Sequence, residues 1–223
     1  MKGLKKSDYL LLALIVLSFI PGLVLYGQLP AQMPTHWNVY GQVDGYSSKA
    51  VGTFLFPGIN LAMYFLFLFL PQLDPKRKNY DLFSGSYTII RWTIHLFMLI
   101  LYFITLYSAL RFARGEDTLD ISILVPAAIS VLFIVIGNYM GRFRHNYFIG
   151  IRTPWTLANE QVWQKTHRLG GKLFVLTGVL GLIGIFLNPV LRFVIFLGGV
   201  GALLIITTVY SYWLFRKLNI PQS

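Results

Sequence analysis

Six apolar stretches dominate the chain, and each is long enough to dictate its own surroundings. Tyr9–Tyr26, Val51–Leu70, Ile121–Met140, Leu173–Leu191 and Phe193–Phe215 contain no Asp, Glu, Lys or Arg, and Trp92–Leu110 carries only the titratable His95. About 20 such residues, wound as a helix, cross the ~30 Å hydrocarbon core of a bilayer. Lipid offers no partner to an unbonded backbone N–H or C=O, so helix is the local structure open to these runs. Composition agrees: of 223 residues, 56% are hydrophobic and 12% charged, about half the ~25% charge of a soluble domain. An ordinary soluble enzyme, a disordered chain and a fibrous repeat are excluded. The expectation is an all-α, polytopic integral membrane protein with six transmembrane helices. Lys2, Lys5 and Lys6 precede the first stretch as in a secretory signal. That stretch is too long for a signal core and no small-residue cleavage site follows Tyr26, so it reads as a retained helix.

The cations orient the bundle. Lys2, Lys5 and Lys6 precede helix one; Lys76, Arg77 and Lys78 follow helix two; Arg142, Arg144, Arg152, Lys165, Arg168 and Lys172 follow helix four; Arg216 and Lys217 close the chain. The intervening connections hold Lys49, Arg111, Arg114 and Arg192, with Glu116, Asp117 and Asp120 beside the middle pair. The split is fourteen to four, and cation-rich connections stay in the cytoplasm. Both termini are expected inside (N-in, C-in). Residues 1–112 read as an N-terminal membrane region and 113–223 as a C-terminal one, neither an independent folding unit.

Two connections exceed what a helical hairpin needs. The outer one, Leu29–Ala50, has Pro30 and Pro34 to stop helix and Gly41 and Gly45 to permit turns. Its polar and aromatic content is His36, Trp37, Asn38 and Asp44. These residues suit an exposed recognition surface; alternatively Trp37, Tyr40 and Tyr46 sit in the interfacial aromatic belt while His36 and Asp44 pair locally. One His and one Asp supply too few ligands for a metal site.

The inner connection, Gly141–Lys172, nets +5 from six cations and Glu160. Thr153 can cap a helix whose first residue is Pro154. Trp155, Ala158, Val162 and Leu169 then fall on one stripe, and Gly170-Gly171 is expected to end the helix. A basic, Trp-bearing helix between transmembrane helices four and five suits the inner membrane surface. The loop can hold topology against anionic lipid, dock a cytoplasmic protein or bind an anionic small ligand. No reading helix or stacking platform supports direct nucleic-acid binding.

Within the membrane, Arg91 and His95 lie one helical turn apart and share a face. Asn138 lies near the inner end of helix four, and Asn60 follows Pro57-Gly58 where a kink is expected. Such polar groups are costly in lipid and often functional, although Arg91 can snorkel and His95 can bond a neighbouring helix. The chain has no cysteine, and it lacks HExxH, GxSxG and phosphate-loop patterns. No cofactor, metal or catalytic residue is expected, and the protein is read as non-enzymatic.

Both long connections resemble known motifs. Met33–Lys49 (MPTHWNVYGQVDGYSSK) resembles a small N-terminal membrane domain with the pattern P-x-H-W-N-x-x-G-x-x-D-G-x-x-x-K. Gly137–Phe174 resembles the signature of the SdpI-type immunity proteins, carried here by Asn146, Gly150–Leu157 (GIRTPWTL) and Val162–Arg168 (VWQKTHR). The resemblance implies a six-helix protein of the bacterial cytoplasmic membrane. It implies protection against a secreted, membrane-active killing peptide, and a receptor role in which the toxin-bound protein holds a cytoplasmic autorepressor at the membrane. The toxin side would then be His36, Trp37, Asn38 and Asp44. Asn146, Arg152, Trp155, Trp163, His167 and Arg168 would meet the cytoplasmic partner or membrane lipid. Two other classes stay open: a small transporter using Arg91, His95 and Asn138, and a lipid-head-group enzyme using Arg144, His145, Arg152 and His167.

Overall fold

The computed structural model describes residues 5–116 and 120–219. Lys2, Asp117 and the C-terminal Ser223 lie outside the described residues. Five helical segments are long and apolar enough to cross a membrane: Lys6–Gln28, Lys49–Leu73, Arg77–Ala113, Ile121–Met140 and Pro189–Leu218. Large apolar side chains along them stand exposed, among them Val24 at 71% and Ile205 at 66%, a surface that water does not tolerate over such lengths. The protein is an all-α polytopic membrane protein with one small sheet.

The chain forms two compact units that interleave in sequence. The first comprises Met1–Phe67 and Arg91–Ala128. It contains α1 (Lys6–Leu17), α2 (Phe19–Leu25) and a 3-10 turn, Tyr26–Gln28, then strands β1 (Gln32–Trp37) and β2 (Val43–Ser48). Most of α3 (Lys49–Leu73) and of α4 (Ser84–Ala113) also belongs to it. Helix α3 runs unbroken through Pro57-Gly58, and Asn60 is spent on a hydrogen bond rather than a break. Leu29, Met33, Tyr102, Leu106 and Ala109 form the buried core of this unit. Gly22 lets α2 approach closely, since a β-carbon there would stand 2.6 Å from the Tyr102 hydroxyl and 2.7 Å from Thr53.

The second unit comprises Leu68–Ile90 and Ile129–Ser223. It holds a 3-10 segment (Arg77–Phe83), most of α5 (Ile121–Met140), the short α6 (Pro154–Ala158), α7 (Glu160–Gly184) and α8 (Pro189–Asn219). Thr153 caps α6 and Pro154 opens it, as the sequence leads one to expect. The amphipathic helix expected to run on to Gly170 does not form as one piece. Asn159 adopts extended angles (φ −143°, ψ 125°) and its side chain accepts the N–H groups of Gln161 and Val162, starting a new helix. Nor do Gly170 and Gly171 end it. A β-carbon at Gly171 would stand 2.7 Å from the carbonyl oxygen of Gly137, and one at Gly137 2.6 Å from that of Gly171. These glycines bring α5 and α7 into backbone contact, as small residues do between membrane helices. Gly178 continues the seam against Ser130. Of the expected stripe Trp155, Ala158, Val162 and Leu169, only Val162 is buried; the buried face is Val162, Trp163, Thr166, His167, Gly170 and Gly171. The charged first half of α7 leaves Leu173–Gly184 as its uncharged part. Arg192, expected in a connection, is buried in α8 and donates to the carbonyls of Ile185 and Leu187 at the end of α7.

Candidate functional site

The Leu29–Ala50 connection folds as a β-hairpin. Met33 anchors it: the side chain is fully buried, lies against Gly52 and receives the Thr53 hydroxyl at its sulfur, 3.3 Å away. Asn38 makes the turn. Its Oδ1 accepts the N–H groups of Tyr40 and Gln42, while Gly41 takes φ +78°, where a β-carbon would be strained. His36 Nδ1 lies 2.5 Å from Asp44 Oδ1 across the strands. Gly45 leaves room for this pair, because a β-carbon there would come within 2.8 Å of the His36 β-carbon. Lys49 donates to the Tyr26 carbonyl and sits over the Tyr26 ring. The motif residues Asn38, Gly41, Asp44, Gly45 and Lys49 therefore build the hairpin. Among the residues the hairpin leaves in the open are His36, Tyr40, Asp44 and Tyr46. Trp37 is half-buried, and its Nε1 finds no partner among the described residues. No group of three potential metal ligands gathers among the described residues.

The same unit contains a buried polar relay. Asp8 accepts the Lys5 N–H with one oxygen and the Arg91 guanidinium with the other, at 2.8 and 2.9 Å. Arg91 also lies over the Tyr64 ring, and the Tyr64 hydroxyl donates to the Asp8 carbonyl. One turn along α4, His95 Nδ1 bonds Asn60 Oδ1 at 2.6 Å, and Asn60 donates to the His95 carbonyl. Arg91 and His95 thus share a face, as their spacing suggests, and both lie against the Tyr64 ring, but Asn138 is not part of this network. Asn138 is exposed and donates to the Ile134 carbonyl of its own helix. Asp8, which completes the network, gives no local sign of this role because Arg91 is 83 positions away.

In the second unit the GIRTPWTL and VWQKTHR segments clasp each other. His167 is fully buried; its Nδ1 donates to the Trp163 carbonyl and its Nε2 accepts the Ile151 N–H at 2.9 Å. Gly150 makes this possible: its φ is +113°, and a β-carbon would occupy the position of His167 Nε2. Burial lowers the His167 pKa to about 4, so the ring is neutral. Trp163 stacks on His167 at 4.0 Å and donates Nε1 to the Phe143 carbonyl. The Thr153 hydroxyl bonds Ser211 of α8. Asn146 is a hub, accepting from the N–H groups of Phe148 and Ile149 and donating to the carbonyls of Arg144 and Ile149.

The segment after α3 braces this clasp. Asp74 accepts from the Tyr147 N–H and the Tyr80 hydroxyl, and Asn79 donates to the His145 carbonyl. Lys76 Nζ stands 2.7 Å from His145 Nδ1. Burial first, then the Lys76 charge, pushes the His145 pKa down. Three expected contact residues are accordingly misplaced for that role: Asn146, Trp163 and His167 are fully buried and cannot present side chains to a partner or to lipid. Buried and fully engaged, His167 and His145 are equally unsuited to proton transfer at a solvent-facing centre. Arg152 and Arg168 are exposed, and Trp155 is half-buried with its ring against Tyr212.

Hairpin, relay and clasp define the class: a polytopic helical membrane protein whose two long connections are folded rather than loose. Residues 142–211, which include the clasp, match the model of the SdpI/YfhL protein family, and residues 13–61 match a domain of unknown function, DUF1648. The chain is also 28% identical over 214 residues to the immunity protein SdpI of Bacillus subtilis (strain 168), covering 96% of this chain and 98% of that protein. On these matches the chain is similar to the SdpI/YfhL family over residues 142–211 and to that immunity protein over nearly its whole length. No solved structure matches it.

Proposed function

We propose that this protein protects a bacterial cell, from its cytoplasmic membrane, against a secreted membrane-active peptide. The observation that carries the reading is the nearly full-length similarity to an immunity protein. The hairpin supports it by offering a rigid, exposed surface where Tyr40 is 60% and Tyr46 49% accessible. Aromatic side chains held at low entropy cost are what peptide recognition uses. We assign the hairpin to the outer face from the cation distribution. The test is expression in a bacterium sensitive to such a peptide. Survival should rise with the wild-type protein and fall back with Tyr40→Ala and Tyr46→Ala combined, at unchanged protein level. No gain in survival against any peptide of this class would overturn the reading.

The finer part of the proposal is a receptor role, in which the toxin-bound protein retains a cytoplasmic repressor. The surface left for it in the second unit is Arg152, Trp155, Lys165 and Arg168, because Asn146, Trp163 and His167 are buried. A guanidinium next to an indole is a common anchor in protein interfaces. A reporter under the repressor's control tests it: induction should be lost in Arg152→Ala with resistance kept.

A further inference from the structure

Three arginines whose side chains take no part in the clasp converge on one space. Arg142, Arg144 and Arg168 line a pocket of about 490 Å³ that also takes in Gln164 and Ser84, with Asp81 as the carboxylate in its wall. All three guanidinium side chains belong to exposed residues, and none makes an ion pair among the described residues; Arg142 lies over the Tyr139 ring. Three cations against one carboxylate leave the pocket positive. A second, apolar space of about 650 Å³ adjoins it, sharing Gly141 and Arg168. Its walls include Gly137, Gly171, Val175, Leu176 and Val179, with Asn138 and Lys172 as its further polar residues. This groove exists because the α5–α7 seam is made of glycine: without side chains at Gly137 and Gly171, neighbouring Leu176 and Val179 stand partly free, at 53% and 40% exposure.

We propose that the two spaces together bind one anionic phospholipid, its phosphate held by Arg144 and Arg168 and an acyl chain lying along Val175–Val179. The head pocket meets the phosphate with charge-assisted, fork-shaped donors. The groove meets the chain on the uncharged half of α7, where a water-soluble anion has nothing to gain. This assignment holds whether or not the protein confers resistance, since it rests on the second unit alone.

Native mass spectrometry of the purified full-length protein in detergent, titrated with dioleoyl phosphatidylglycerol, dioleoyl phosphatidylcholine or inorganic phosphate, tests it. One phosphatidylglycerol should be retained per chain, in clear preference to phosphatidylcholine. Arg144→Gln and Arg168→Gln should each weaken retention about ten-fold, as loss of a charge-assisted bond does. Arg216→Gln, a cation outside the pocket, should leave it unchanged. Val179→Trp fills the groove from an exposed position and should weaken retention with every arginine in place. Equal retention of both lipids, or unchanged retention in the arginine variants, would overturn the proposal. So would phosphate competing fully with the lipid while Val179→Trp has no effect, because the groove would then contribute nothing. Melting temperature, read alongside, guards against misfolding: if the arginine variants melt early, Val179→Trp at unchanged melting temperature still decides between the outcomes.

Discussion

The Ile151 N–H points at Nε2 of His167, 2.9 Å away, and Gly150 at φ +113° is what lets the two meet. An alanine at 150 would carry a β-carbon into the imidazole and strain the backbone as well. Gly150→Ala is expected to destabilise the second unit by at least about 2 kcal/mol, within the range for strained backbone with displaced packing. Thermal unfolding of the detergent-purified protein measures it. A melting temperature within a degree of wild type would mean that the clasp opens without cost.

The same ring gives a dependence on pH. His167 titrates near pH 4 when folded, against 6.5 when free, because burial disfavours its charged form. Between those values the unfolded chain binds more protons than the folded one. The contribution is therefore complete above pH 6.5 and declines as pH falls towards about 4, by up to about 3 kcal/mol. Protonated Nε2 would also face the Ile151 N–H donor to donor. Melting temperature against pH should fall across this window for wild type and flatten in His167→Gln; identical profiles would refute the assignment to His167.

Asp8 and Arg91 make the ion pair that ties α1 to α4, with side-chain exposures of 11% and 8%. Removing one partner of such a pair strands a buried charge, at a cost of about 3–5 kcal/mol, whereas replacing both is much less harmful. Asp8→Asn and Arg91→Met should each lower the melting temperature sharply, and the double variant should recover part of the loss. Strictly additive losses would show that the two side chains do not depend on each other.

Five of the six apolar runs were legible as helices because each meets the bilayer criterion by itself; the sixth, Leu173–Leu191, is divided between the end of α7 at Gly184 and the start of α8 at Pro189. The α6 start was legible as well, where Thr153 and Pro154 are neighbours. Elsewhere the deciding partner is remote. Gly170-Gly171 carries the local signature of a helix stop, and only Gly137 on α5 turns it into a contact seam. Asn38 and Gly41 announce a turn, but Gln32–Trp37 and Val43–Ser48 lack the apolar alternation that marks strands, and Met33 binding under α3 is what fixes the hairpin. The motif residues themselves were found, yet their exposure was not: Trp163 and His167 look like surface anchors on a basic helix until Phe143 and Ile151 are folded over them.

The cation distribution, fourteen against four, predicts which side of the membrane each connection faces. With no native cysteine, single cysteines at Asp44, Glu116, Lys76 and Glu160 can be probed one at a time. In intact cells a membrane-impermeant maleimide should label positions 44 and 116, and label 76 and 160 only after lysis. Labelling of position 160 in intact cells would invert the topology and place the clasp outside.

Protection and signalling should separate by surface, and the structure now says which substitutions can show it. His36→Ala removes one half of an exposed pair whose partner, Asp44, stays solvated, so the hairpin loses little of its own stability. Resistance should fall while membrane abundance holds. Arg152→Ala costs a bond to the Tyr147 carbonyl at the surface and should spare resistance while reporter induction drops by about ten-fold or more, as for loss of an interface anchor. Trp163→Ala is different in kind. It empties a fully buried site and strands the Phe143 carbonyl, a loss of about 3–5 kcal/mol, so abundance, resistance and induction should fall together. Resistance, induction and protein level measured side by side decide the matter. Parallel loss of all three in His36→Ala and Arg152→Ala would show that both motifs serve only the fold, and Trp163→Ala marks what such a purely structural loss looks like.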